Sequence, residues 1–321
     1  MRRTRLIISL TCVGLFTGLY FLAPVLYSTA LINVWSLQYL SQIRAASLQG
    51  GISQPRPPIG HPRADIWQAF AAIKNGDYLT AITLLAPHLQ EDKFALQISA
   101  WSYELQGDYL AAIQGWKEMG DYKALQRVGD AAAEEGDLTS AYQAYQAAWD
   151  LNPQEGAFAL GDFLDKDEGD PAAAEAVYRQ ALEKIPYHRY RPYWHLRLAE
   201  VLEKQSRWAE AAQSYEQAIA EVDLMYPSER RLARRYADLA WAYHMSGQTE
   251  DAMKAIEKTL QLLTTDASIS AEDAWMKAGV IYEGGGKIEE ALAAYRRVLE
   301  LNPDNAKARD AVQRLESEYP N

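Results

Sequence analysis

Reactive side chains are scarce in this chain. One cysteine, Cys12, serves 321 residues, so neither an intramolecular disulfide nor a thiol metal site can form. A location outside the cytoplasm is compatible with that scarcity, because a chain without paired thiols tolerates oxidising conditions. The histidines are five and scattered: His61, His88, His188, His195 and His244. His188 and His195 stand seven apart around Pro192, which is not a metal-ligand spacing. There is no HExxH, no G-x-S-x-G and no G-x-G-x-x-G after a strand. Gly284-Gly285-Gly286-Lys287 has the lysine of a phosphate loop, but Ile281 holds the first glycine position and the run reads as a turn between helices. Sustained alternation of β-branched residues is also missing, which excludes a sheet. No enzyme, metal or cofactor is expected, and a small-molecule ligand is not expected either.

Acidic residues are absent from the first 64 positions, and Leu6 to Ile43 carries no charge of either sign. Leu6–Ala30 is strongly apolar, and a bilayer core requires about 20 such residues. Arg2, Arg3 and Arg5 precede it, whereas the next basic residue is Arg44. Positive charge on the short side places the N-terminus in the cytoplasm and the remainder outside. The expected order is a cytoplasmic end (1–5), a membrane-spanning signal anchor (6–30), a juxtamembrane and Pro/Gly-rich tether (31–62) and a folded region (63–321). Ser28-Thr29-Ala30 also has the small-x-small form of a signal-peptidase site, so a secreted product is the alternative. The apolar run exceeds the ~7–15 residues usual for cleaved peptides, which favours the anchor.

All 43 acidic residues lie after residue 64, against 26 basic ones there, a formal charge of −17. That balance argues against nucleic acid as a partner.

What the folded region does contain is repetition. Ala81, Ala112, Ala141, Ala174, Ala211, Ala252 and Ala291 recur at intervals of 29 to 41 residues. Four residues after each comes a large apolar residue: Leu85, Trp116, Tyr145, Tyr178, Tyr215, Ile256 and Tyr295. Twelve residues before five of the last six, and thirteen before Ala174, stands another small residue: Ala100, Gly129, Gly161, Ala199, Ala240 and Gly279. Glycine turns separate most of these pairs, and Leu-Asn-Pro closes two units at Pro153 and Pro303. Small residues at both positions let two antiparallel helices approach closely, and a period of 20 to 50 residues implies a stacked array. The aromatic at i+4 is expected to fill the space towards the neighbouring pair.

This pattern resembles the tetratricopeptide repeat (TPR) family. The last unit, with Trp275, Gly279, Tyr282, Gly286, Ala291, Tyr295 and Pro303, matches best, and the first, broken by Pro87 and His88, matches least. The resemblance implies an all-α solenoid of about seven helix pairs, with Asn305–Tyr319 as a polar capping helix. It also implies that the first helix of each pair lines a binding groove. On that projection Trp101, Asp130, Asp162, Asp165, Glu200, Glu203, Trp241 and His244 face the groove as a carboxylate stripe bounded by two tryptophans. Such a stripe suits a basic or polar segment of a protein partner, with the indoles as anchors; it equally fits a solvated acidic face. A second candidate is His188–His195, where basic and aromatic residues alternate near Arg230, Arg231, Arg234 and Arg235. That segment could take phosphate, sugar or acidic peptide, or simply pack a junction between units. The expected function is a membrane-anchored interaction scaffold or assembly factor, in a single-pass plasma (inner) membrane protein with its array outside the cytoplasm. The alternatives are a secreted binding module and an accessory subunit recruiting an envelope glycan-active enzyme.

Overall fold

The computed structural model describes residues 64–319 apart from 187–188, 226–231, 264–265 and 267. The anticipated anchor, Cys12 and the tether lie outside the described residues, and no described helix is long and apolar enough to cross a membrane.

The described residues form fifteen α-helices and no strand. Seven antiparallel pairs run in order: α1 (Ala64–Lys74) with α2 (Tyr78–Leu85), α3 (Lys93–Gln106) with α4 (Tyr109–Met119), and α5 (Tyr122–Glu134) with α6 (Leu138–Leu151). Next come α7 (Pro153–Lys166) with α8 (Pro171–Lys184), and α9 (Arg191–Lys204) with α10 (Trp208–Met225). Then follow α11 (Leu232–Met245) with α12 (Thr249–Leu262), and α13 (Ala271–Gly284) with α14 (Ile288–Leu301). A closing helix, α15 (Ala306–Glu318), buries Ala308 and Leu315 and turns its polar remainder to solvent. Each helix packs mainly on the one before and the one after it, as a stacked array requires.

The turns follow from local chemistry. Seven glycines adopt positive φ, and six of them lie in the turn between the helices of a pair or just ahead of it, from Gly76 to Gly286. The pair α9/α10 has no glycine there; Ser206 takes the left-handed conformation instead, at φ 59°, a backbone region that costs a side-chain-bearing residue about 1 kcal/mol. After the glycine, Asp77, Asp108, Asp137 and Asp170 each accept a hydrogen bond from the backbone N–H three residues on, at 2.9–3.2 Å. Those aspartates cap the second helices. Asn152 ends α6 and caps α7, whose first residue is Pro153. The Gly284–Gly286 run is the turn between α13 and α14. Pro87 stops α2 early in a short 3-10 turn, and Gly120 stops α4.

All seven recurring alanines, and all seven large residues four positions later, are buried. The direction of those aromatics differs from the expectation. Tyr145, Tyr178 and Tyr295 lie first over the glycine of their own pair. A Cβ on Gly129, Gly161 or Gly279 would stand 2.7, 2.4 and 2.4 Å from the nearest ring carbon. The ring needs the flat backbone of a glycine beneath it, so the small position is a seat for the tyrosine as much as a point of helix contact. Only then does the ring reach onward, as Tyr145 does to Phe163 at 5.1 Å between centroids. Gly115 has the same character in α4, since a Cβ there would sit 2.7 Å from that of Ala100.

Most of the core from α3 to α14 is one continuous cluster, from Ala100 to Ala294. Three smaller clusters flank it: one under α1–α3, one under α14 and α15, and one around Ala233, Ala237, Ile269 and Ala274. Trp101 packs against both the first-pair cluster and the main one.

Replacing glycine by alanine inside a helix ordinarily stabilises it by up to about 1 kcal/mol. Gly161→Ala should do the reverse and lower stability by about 1–3 kcal/mol through overpacking against Tyr178. Urea denaturation followed by circular dichroism measures this; a stabilised variant would show that the ring has room to move.

Candidate functional site

All eight residues named for the anticipated partner face lie on first helices: Trp101 on α3, Asp130 on α5, Asp162 and Asp165 on α7, Glu200 and Glu203 on α9, and Trp241 and His244 on α11. Trp101, Asp162, Asp165, Glu203, Trp241 and His244 are half-buried, whereas Asp130 and Glu200 are exposed. They do not form a bare acidic stripe. The tyrosine hydroxyl seated on each glycine donates to a carboxylate on this face: Tyr145 to Asp130 at 2.6 Å, Tyr178 to Asp162 at 2.8 Å and Tyr295 to Glu283 at 3.1 Å. Trp116 donates to Glu104 in the same way at 3.3 Å. Burial first, and the neighbouring carboxylate second, push the Tyr145 and Tyr178 phenols well above their usual range.

Cations from the following unit then meet most of these acids. Arg127 of α5 grips Glu104 of α3 through two hydrogen bonds of 2.7 and 2.8 Å. Arg197 of α9 reaches Asp162 of α7 at 3.3 Å, and Lys204 reaches Asp165 at 2.6 and 2.7 Å. Lys277 of α13 pairs with Asp238 of α11 at 2.9 Å, and Arg314 of α15 with Glu283 at 2.9 Å. The side chains of Glu104 and Asp165 are only 9% and 11% exposed, so both are committed to holding units together. Single exposed pairs are worth about 0–1 kcal/mol, but here they recur at successive interfaces. Asp130 and Glu203 have no ion-pair partner among the described residues.

The repeat pattern missed these cations. Arg127, Arg197 and Lys277 share one register, two residues before Gly129, Ala199 and Gly279, so the signal was present but lay one unit away from the acids it serves.

Glu203 is the most perturbed acid of the row. Desolvation, with Asp238 adding to it, raises its carboxyl to about 7, against the opposing hydrogen bond to Tyr215 and the charge of Lys277. At the far end Trp241 and His244 stack at 5.5 Å, and the imidazole lies against Gly284, where a Cβ would meet it at 2.7 Å. Burial holds His244 below the usual histidine range.

The second candidate segment divides in two. Trp194 is fully buried, and Arg235 is buried beneath the ring of Tyr193 at 5.5 Å. Arg191 pairs with Glu221 at 3.1 Å beside His195, whose pKa is lowered by burial despite Glu221 at 3.6 Å. The backbone N–H and guanidinium of Arg234 bond Ser268. These residues pack the junction; His188, Arg230 and Arg231 are outside the described residues. Arg189, Tyr190, Tyr193 and Leu196 instead line an open cleft of about 600 Å³ between α7 and α9, together with Phe158, Arg197 and Glu200. Among the described residues no group of three or more His, Cys, Asp or Glu is arranged to hold a metal ion.

Models of the tetratricopeptide repeat match residues 165–225, 196–267 and 272–305. No protein of curated function matches the sequence. Among solved structures, the C-terminal part of a TPR repeat-containing protein from Cytophaga hutchinsonii is 18% identical, covers 77% of this chain and 99% of its own, and superposes with a TM-score of 0.52. YrrB, a TPR protein with an unusual peptide-binding site, is 17% identical over 64% of this chain and 97% of its own, with a TM-score of 0.49. PilW, a type IV pilus biogenesis factor, is 15% identical over 79% of this chain and 97% of its own, at 0.47. At these identities the first of them shows the shared fold.

The raised Glu203 carboxyl has a signed consequence. A folded-state pKa above the unfolded value favours the folded state below the ordinary glutamate range, and that advantage is lost as pH rises through about 7. Glu203→Gln should therefore hold its urea midpoint better than the parent protein between pH 5 and pH 8, the range spanning that loss. Parallel curves for the two proteins would place the Glu203 pKa in the ordinary range.

Proposed function

We propose, taking as premise that the chain is an all-α array carrying tetratricopeptide repeats, that it is a protein-interaction scaffold or assembly factor whose partner lies across the first-helix face. The observation supporting this is the division of labour on that face. Asp162, Asp165 and Glu104 hold adjacent units together, while Trp101, Asp130, Glu200, Glu203, Trp241 and His244 lie in the same row with surface to offer. The committed acids leave less negative charge than the sequence suggests. A polar partner segment anchored by the indoles therefore fits better than a purely basic one.

Residues 6–30 supply the second half of the reading. Their length, the absence of charge and the arginines before them support a signal anchor that holds the array on the outer side of the plasma (inner) membrane. Ser28-Thr29-Ala30 favours the one alternative, a secreted module beginning at Leu31.

Two measurements test these halves separately. Trp241→Ala with Glu200→Lys should reduce recovery of cross-linked partner several-fold in pull-downs from intact cells, with the helical spectrum unchanged. Undiminished recovery would remove the first-helix face from the assignment. Fractionation should leave the protein in the membrane until detergent is added; full recovery in the soluble fraction, or a mature N-terminus at Leu31, would replace the anchor by the secreted form.

A further inference from the structure

We propose that the cleft between α7 and α9 is a distinct subsite of this face, built for a peptide segment in which a large apolar side chain is flanked by carboxylates. The inference rests on the first-helix face being the partner face, and adds what part of a partner enters it and where.

The floor is apolar and stiff. Phe158 and Tyr190 meet edge to face at 5.7 Å, and Phe158 also contacts the buried Trp194 at 6.2 Å. Leu196 completes that surface. Fixed rings offer contact area at little conformational cost to the site, and about 600 Å³ accommodates a phenylalanine or leucine with its neighbours.

The rim supplies the charge. The guanidinium of Arg189 lies over the Tyr190 ring at 4.8 Å and donates one hydrogen bond to its hydroxyl at 2.9 Å. Arg189 is exposed, and among the described residues no carboxylate lies within ion-pairing distance of it. Its remaining N–H groups are therefore held in place for an acceptor that the described residues do not provide. Across the cleft, Glu200 is already satisfied by Arg197 at 2.7 Å. In an array of charge −17, this is a place where a cation is presented beside apolar rings. A partner's carboxylates are accepted here beside the rings, which gives register as well as affinity. Aromatic rings beside arginine can also stack nucleobases. A polyanionic backbone, however, would run against Glu200 and Asp162 on either side of Arg197.

The test uses the whole chain in detergent and short fluorescein-labelled peptides with one phenylalanine, flanked by Glu, by Gln or by Lys. Fluorescence anisotropy should show saturable binding of the Glu-flanked peptide, about tenfold tighter than the Gln-flanked one, with the Lys-flanked peptide weakest. Arg189→Glu should remove that preference without changing the circular-dichroism spectrum, and Phe158→Leu should weaken all three peptides alike. Equal binding of the three peptides, indifference to Arg189→Glu, or displacement by oligothymidylate would overturn the subsite. Binding abolished by Trp241→Ala but not by Arg189→Glu would overturn it too, while leaving the first-helix face as the partner surface.

Discussion

A tyrosine ring resting on a bare glycine backbone is the contact on which the order of this array depends. Three pairs use it directly, at Gly129, Gly161 and Gly279. Seating the ring sets the distance between the two helices of a pair. It also carries the phenol to the outer edge of the first helix, where the hydroxyl fixes a carboxylate. In two pairs that carboxylate then holds a cation from the helix that follows the pair: Gly161, Tyr178, Asp162 and Arg197 of α9 form one such sequence of contacts, and Gly279, Tyr295, Glu283 and Arg314 of the closing helix α15 the other. Spacing inside a unit and attachment between units are thus set by one side chain. In a quasi-one-dimensional fold both terms decide stability, because no long-range core compensates.

The same arrangement leaves the first-helix face less acidic than its carboxylates alone suggest. Read one helix at a time, that row looks ready for basic ligands, yet Glu104, Asp162, Asp165, Asp238 and Glu283 all have cationic partners one unit away. The recognition proposed above then rests on more local features: two exposed carboxylates, the edges of two indoles, and the cleft where Arg189 stands over Tyr190. On that reading selectivity comes from placement, with charge of each sign at separate points along a row.

The helical array was legible because its signals are short-range. Alanine and an aromatic at i+4, a glycine with positive φ and a proline after the last turn each act within a few residues of themselves, and repetition multiplies them. The site was legible only as a face. Periodicity says that Asp162 and Asp165 share a side of α7, but not that Arg197 and Lys204, 35 and 39 residues later, close on them. Pairing across units depends on side-chain reach, which spacing does not encode. The same limit hid Phe158, which looks like an ordinary core residue until α9 is laid beside it. Ser206 is a different case: the glycine pattern fails there, and the fold accepts a strained turn because the flanking helices impose it.

The separate apolar cluster beneath α1, α2 and the start of α3 sets how the molecule comes apart. Trp101 is the side chain that packs against both that cluster and the main one. The leading hairpin can therefore fray while α4 to α14 stay closed, in the manner of a zip with a loose first tooth. Amide protons in α1 and α2 would then exchange by this local opening, at rates set by how firmly Ala95, Ile98 and Trp101 of α3 hold the small cluster and not by the stability of the whole.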